Sequence, residues 1–433
     1  MLIAIFCLVS LALVSSILFF PNVKIFNLKF SSYWVIALFG TILVVLFNFV
    51  DFNAIFSALT ADSAVNPLKI LVIFISMTVL SVFLDEVGFF EYLASVVIKK
   101  AKNSQFKIFL IIYLTVSVLT VFTSNDVVVL TFTPFICYFC KSAKINPLPY
   151  LIAEFVASNT WSMLLIIGNP TNIYLATSFN ITFLEYLSVM FIPTIFGGIV
   201  NFLAVFLIFK KQLSKPIEKT QVNVVIKDKF LLILGVSFLG LCIFLLALSS
   251  YIGFEMWLIC LSCALLLLIT ASSEILVTHH KLSVIKNTLK RAPYQLIPFV
   301  LCMFILVLAL DLNGFTTSLR SFLDNVTPSI SYGFSSLIFS NLINNIPMSI
   351  LFQSVLSSGQ TPSLIAVYAS IIGSNIGAYL TPVGALAGIM WAKILKQNGI
   401  AIKFYQFVLY GVMIAIPTLI FSLIGLELAF LIF

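Results

Sequence analysis

Four short polar stretches interrupt long apolar runs in this chain: residues 123–126 (TSND), 168–172 (GNPTN), 344–347 (NNIP) and 381–384 (TPVG). Irregular backbone at membrane depth is tolerated only where protein or a water-filled cavity satisfies it. Pro170 has no amide to donate and clashes with the preceding turn, and Gly168 permits conformations closed to other residues. A break there frees carbonyls, which suit a small cation. It also frees a half-helix N-terminus, which suits an anion or an electron-rich oxygen. Asn169, Thr171 and Asn172 add neutral donors and acceptors. At the first tip, Ser124 and Asn125 are N-cap types for a helix starting near Asp126, whose charge the helix dipole would stabilise.

An acid inside a membrane segment is functional by default, so Asp126 is the candidate site of a coupling cation. Glu154 shares a helix stripe with Ser158 and Ser162 and is a candidate proton carrier; two turns from Pro147, it could equally snorkel to the cytoplasmic interface. In the second half, Asn344, Asn345 and Pro347 occupy a tip, and Thr381, Pro382 and Gly384 a break. The pairs Ser158-Asn159 and Ser374-Asn375 precede the two breaks. No lysine or arginine falls inside a span core or hairpin tip, so no fixed cation is expected to grip the substrate. It should be neutral, or an anion bound with a coupling H+ or Na+, sodium at the hairpin tips being the metal option. No other cofactor is expected. Cys137-x-x-Cys140 and Cys260-x-x-Cys263 read as packing residues and His279-His280 as a solvated loop. With no HExxH, no GxSxG and no paired intramembrane Asp motif, the chain is not expected to be an enzyme.

The elements that position these residues must be membrane helices. Only 9% of the chain is charged, against about 25% in soluble domains, so its solvent is lipid. Ten full spans are expected near 1–20, 33–50, 67–88, 149–178, 187–209, 229–249, 253–271, 294–313, 362–395 and 404–430. Residues 1–20 lack the features of a cleaved signal peptide and read as a retained span. Segments 106–140 and 330–358 are each interrupted near the middle and read as helical hairpins or paired spans. All of the 23 lysines and arginines except Lys69 and Arg320 fall on one side of this arrangement. That bias puts both termini outside the cytoplasm and accounts for the basic charge without nucleic acid.

The polar segment 211–228, a cytoplasmic linker, divides the chain into 1–210 and 229–433. Each part holds five spans, one interrupted segment and one broken helix (149–178 and 362–395). Five is odd, so the second part should lie upside down relative to the first. LDEVGFFEYLASVV at Leu84 is answered by LDLNGFTTSLRSFL at Leu310. The expected fold is all-α and multi-pass, with two inverted-topology repeats carrying re-entrant hairpins and broken helices, an architecture of secondary transporters.

At these residues the chain resembles the ion transporter superfamily, and within it the arsenite permease (ArsB) and NhaD-type permeases. TSNDVVVLTFTPF resembles their first hairpin, NNIPMSIL the second, and GSNIGAYLTPVGALAGIMW the glycine-rich segment. GNPTN is closer to the break of the divalent anion–sodium symporters, and Asn375 stands where ArsB proteins tend to carry an acid. The resemblance covers about 84–178 and 310–396. It implies a cell-membrane secondary transporter in which the tips and breaks form the substrate and ion site. The cargo would be arsenite or antimonite as the neutral hydroxide, or a small carboxylate or inorganic anion taken up with sodium. Sodium–proton antiport stays open, as do a homodimer and a docked cytosolic ATPase subunit. A channel is the alternative of a different class.

Overall fold

The computed structural model describes residues 1–19, 22–25, 28–61, 66–100, 104–215, 228–277, 283–359 and 363–432. Lys102, most of the connecting segment (216–227), His279-His280 and Lys281 lie outside the described residues. The described chain is helical almost throughout. One antiparallel hairpin, Asn22–Ile25 paired with Leu28–Ser31, was not expected from the sequence. Seven described helices are long and apolar enough to cross a bilayer. Leu207, Phe244 and Leu265 are among the large apolar side chains left exposed, an arrangement suited to acyl chains and poorly suited to water.

The interrupted segments resolve into helix pairs. The first hairpin has an outer arm Gln105–Phe122 and an inner arm Asn125–Ser142; the second has an outer arm Pro328–Ile343 and an inner arm Asn345–Ser357. At about 1.5 Å per residue, the 13-residue inner arm of the second hairpin falls well short of a hydrocarbon core about 30 Å thick. The first broken helix runs Leu148–Trp161, passes through two 3-10 turns, and resumes as Pro170–Ser178. The second runs Leu364–Gly377 and resumes as Leu386–Gln397.

Short helices that apolar run length does not reveal sit between the spans: Phe52–Thr60, Phe89–Lys100, Ser283–Arg291 and Phe315–Leu323. Two of them follow a left-handed glycine, Gly88 (φ 88°) or Gly314 (φ 77°), inside the recurring LDxxGF stretches. Glycine alone takes that conformation without steric cost, so each stretch ends a span and turns the chain.

Packing follows a matched scheme. Each outer arm lies on the first half of the broken helix that follows it: Gln105–Phe122 on Leu148–Trp161, and Pro328–Ile343 on Leu364–Gly377. Each inner arm lies on the resumed half-helix of the other half: Asn125–Ser142 on Leu386–Gln397, and Asn345–Ser357 on Pro170–Ser178. Around them, Pro67–Glu86 packs on Met256–Val277, Ser32–Leu46 on Leu296–Leu312, and Phe183–Leu213 along Phe404–Ile432.

One close helix approach depends on small residues. A Cβ at Gly373 would strike the Gly333 carbonyl and Ser336 Oγ, and one at Gly377 would strike Ser340 Oγ. The G-x-x-x-G spacing thus lets the second broken helix touch the backbone of the second hairpin's outer arm. Gly373→Leu is expected to destabilise the protein by about 1–3 kcal/mol through overpacking. A thermal-unfolding midpoint in detergent equal to that of wild type would contradict this.

Candidate functional site

Pro170 begins the resumed half-helix rather than merely ending the one before it. It occupies the first helical position, where its missing N–H costs nothing, and Asn169 caps that turn by accepting from Thr171 N at 3.2 Å. Gly168 has no left-handed φ; it is required because a side chain there would collide with the Ser162 carbonyl. The carbonyls of Ser162 and Leu165 are engaged by the chain itself. Asn172 Nδ2 donates to both, at 2.8 and 3.1 Å.

Asn375 joins the two broken helices. Its Oδ1 accepts from Ser162 Oγ (2.9 Å) and Asn169 Nδ2 (3.0 Å), and its Nδ2 donates to Asn172 Oδ1 (2.7 Å) and the Ile371 carbonyl (2.9 Å). These four bonds use its two N–H groups and both oxygen lone pairs, so Asn375 is a fastener with nothing left for a ligand. Asn125 Nδ2 donates to Asn159 Oδ1 at 3.0 Å, tying the first hairpin tip to the same broken helix. Ser158 bonds its own helix at the Phe155 carbonyl. Ser124 stands at the N-cap position but makes no capping bond. The hydroxyls of Ser124 and Ser374 are buried without a partner among the described residues.

The second break is held by a residue the sequence reading passed over. Asn341 Nδ2 donates to the Gly377 carbonyl at 2.9 Å, and its Oδ1 accepts from Thr381 N (3.1 Å) and Thr381 Oγ1 (2.7 Å). It does for this break what Asn172 does for the first. The signal was an asparagine inside an apolar arm, one turn before Asn344. At the tip, Asn344 Nδ2 donates to the Val383 carbonyl at 3.1 Å and Asn345 N to the Gly384 carbonyl at 3.0 Å. Asn344 itself has φ 76° and ψ 155°. Pro347 lies in the first turn of the inner arm, Pro382 in the non-helical segment, and Gly388 closes against the Pro382 carbonyl.

The two acids have different surroundings. Glu154 is fully buried, so it does not snorkel; Thr133 Oγ1 donates to its carboxylate at 3.2 and 3.3 Å. Asp126 lies in the first turn of its helix and faces a cavity of about 230 Å³. Its carboxylate has no hydrogen bond or ion pair among the described residues. Leu386, at the start of the resumed half-helix of the second half, lines the same cavity. So do Arg291 and Lys393; no lysine or arginine was expected inside a span core or hairpin tip, and these two reach the cavity from outside the tip. Lys393, counted as loop charge in the sequence, sits within the helix Leu386–Gln397. Arg291 is engaged by Asp85 and Glu86, each at 2.6 Å, and Thr131 Oγ1 on the hairpin's inner arm donates to Asp85 at 2.6 Å. A second cavity of about 210 Å³ is lined by Lys69, Thr177, Thr182 and Glu255, with Lys69 paired to Glu255 at 2.6 Å. The buried cysteine pairs lie in the apolar core.

Comparison with known proteins agrees with this architecture. The citrate transporter family, CitMHS, matches residues 23–373. An arsenical pump membrane protein of Escherichia coli is 26% identical over 371 residues, covering 82% of this chain and 85% of that protein. A putative arsenical pump membrane protein of Bacillus subtilis (strain 168) is 25% identical over 376 residues, covering 80% and 84%. A 46 kDa membrane protein of Mycobacterium leprae is 25% identical over 391 residues, covering 84% and 87%. Among solved structures, the YdaH transporter of Alcanivorax borkumensis superposes with a TM-score of 0.54 at 13% identity, over 98% of this chain and 97% of that one. With the family match spanning residues 23–373, most of the chain, it belongs to the CitMHS citrate transporter family and is a multi-pass membrane transporter.

Proposed function

We propose that this chain is a secondary active transporter that carries a small anion by alternating access, coupled to H+ or Na+ at Asp126. One observation carries the reading: a carboxylate with no partner among the described residues, at a hairpin tip, on a cavity that both halves of the chain line. A buried-side charge left unpaired is costly, and a bound proton or metal cation removes that cost.

We read the halves as inverted repeats, and the matched packing of inner arms on opposite half-helices supports this. The two cavities fit alternation between sides. By the lysine and arginine bias, the one holding Lys393 opens to the cytoplasm and the one holding Lys69 to the outside. The first reaches the tip at Asp126; the second is lined by the far end of Pro170–Ser178 and by no hairpin residue. In this reading the conformation is open inward. Glu154, sealed between the first hairpin and the first broken helix, is the candidate carrier of a proton.

A second reading, export of a metalloid hydroxide, has support from the arsenical pump relatives and from the neutral amides at both breaks. Flux into proteoliposomes separates the two. Arsenite, succinate, citrate and phosphate would each be offered under imposed sodium and proton gradients. Saturable accumulation of one anion, lost when one gradient is dissipated, is the expected result; flux that never saturates would favour a channel.

Two substitutions test the ion assignments. Asp126→Asn is expected to reduce gradient-driven accumulation by about 100-fold or more, the scale of losing one essential charge interaction, with the unfolding midpoint little changed. Accumulation at the wild-type rate would remove Asp126 from the mechanism. Glu154→Gln keeps an oxygen for Thr133 and is expected to abolish proton-driven flux. Unaltered proton coupling in that variant would reduce Glu154 to a packing residue.

A further inference from the structure

We propose that the cavity facing Asp126 holds a subsite for a small carboxylate, formed by the N-terminus of the helix Ser32–Leu46, the Ser32 hydroxyl and the Lys393 ammonium. The proposal rests on the transporter reading and names its substrate class.

The helix Ser32–Leu46 starts on the cavity wall, where Ser31, Ser32 and Tyr33 line it. The first N–H groups of a helix have no partner within it. Here Ser31 occupies the N-cap position without a side-chain bond, and the first turn contains no acid. Ser31 N donates to Gln295 Oε1 at 2.8 Å; the N–H groups of the first turn that follow it and the positive end of the dipole together favour an anion. Ser32 gives an independent indication. It is only 2% exposed, it lines the cavity, and its hydroxyl has no partner among the described residues. Lys393 lines the same cavity with no ion pair among the described residues, whereas Arg291 is already shared by Asp85 and Glu86.

The second cavity shows the same chemistry completed by the chain itself. Glu255 immediately precedes the helix Met256–Val277, and its carboxylate is bonded to Lys69 Nζ at 2.6 Å and Trp257 Nε1 at 2.9 Å. In that cavity a helix start, a lysine and a carboxylate stand together. The first cavity presents a helix start and a lysine, with serines where the other has its acid. A carboxylate from solution completes the set. Asp126 on the same cavity would repel that anion, so the two negative groups are best accommodated with a cation between them. This ties anion binding to the coupling ion. A neutral metalloid hydroxide would leave the lysine and the helix start without a charge partner.

Detergent-purified protein, titrated with citrate and with succinate while thermal unfolding is followed, tests the subsite without requiring transport. Both carboxylates are expected to raise the unfolding midpoint of wild type, and arsenite to do so less. Lys393→Gln is expected to weaken half-saturation about tenfold, the scale of one charge-assisted hydrogen bond, and Lys393→Arg to restore it to within about threefold. Ser32→Ala should weaken it severalfold. Lys396→Gln, one turn further along and outside the cavity lining, is the control and should titrate as wild type. Unchanged carboxylate affinity in both Lys393→Gln and Ser32→Ala would overturn the proposal, as would stabilisation by arsenite and by neither carboxylate. Carboxylate binding with no gradient-driven flux in proteoliposomes would leave the subsite standing and remove the transporter reading.

Discussion

A peptide unwound inside a bilayer must find hydrogen bonds from its own protein, and everything else at the centre of this molecule depends on how that demand is met. Each unsatisfied backbone group there costs several kcal/mol. Asparagine side chains supply the missing bonds at both breaks. Asn172 takes the Ser162 and Leu165 carbonyls, and Asn341 bonds the Gly377 carbonyl and the Thr381 amide. An amide suits this work because it donates and accepts at once and carries no charge to desolvate. Asn375 then unites the two broken helices with every polar valence used. A carboxylate at that position could not donate to Asn172 Oδ1 unless protonated.

This divides the polar centre into residues that hold it together and residues that can meet a solute. Asn169 and Asn172 bond Asn375, and Asn341 bonds the second break. Ser124, Ser374 and Asp126 keep unused polar atoms. Because each inner arm lies on the resumed half-helix of the other half, each hairpin touches a break that belongs to the opposite half of the chain. Asp85 extends the connection from the inner arm through the helix Pro67–Glu86 to Arg291, since it accepts from Thr131 while also pairing with the guanidinium.

Much of this was legible in the sequence for a simple reason. In a chain this apolar, polar residues in mid-run are rare and costly, so their positions mark tips and breaks within a few residues. The recurrence of LDxxGF, the paired Ser-Asn dipeptides and the two proline-containing breaks gave the order of parts. What stayed hidden was geometry. Gly168 looks like a residue chosen for its backbone freedom, but it is required by the closeness of the Ser162 carbonyl. Counting basic residues by loop assigned Lys393 to the membrane surface, because a count carries no information about which face of a helix a side chain occupies. Glu154 lies two turns from an interface in sequence and is nonetheless fully buried, with Thr133 of the first hairpin on its carboxylate. The amphipathic connectors escaped a search tuned to apolar length.

Asn344 combines positive φ with an extended ψ, a region that residues with a side chain enter at a cost of about 1–3 kcal/mol. Its grip on Val383, and that of Asn345 on Gly384, keep the tip in that shape. The second hairpin is therefore held like a cocked spring against the glycine-rich segment. Parting the two would let the backbone relax, and that relaxation would offset some of the energy of the broken hydrogen bonds, lowering the barrier to letting go.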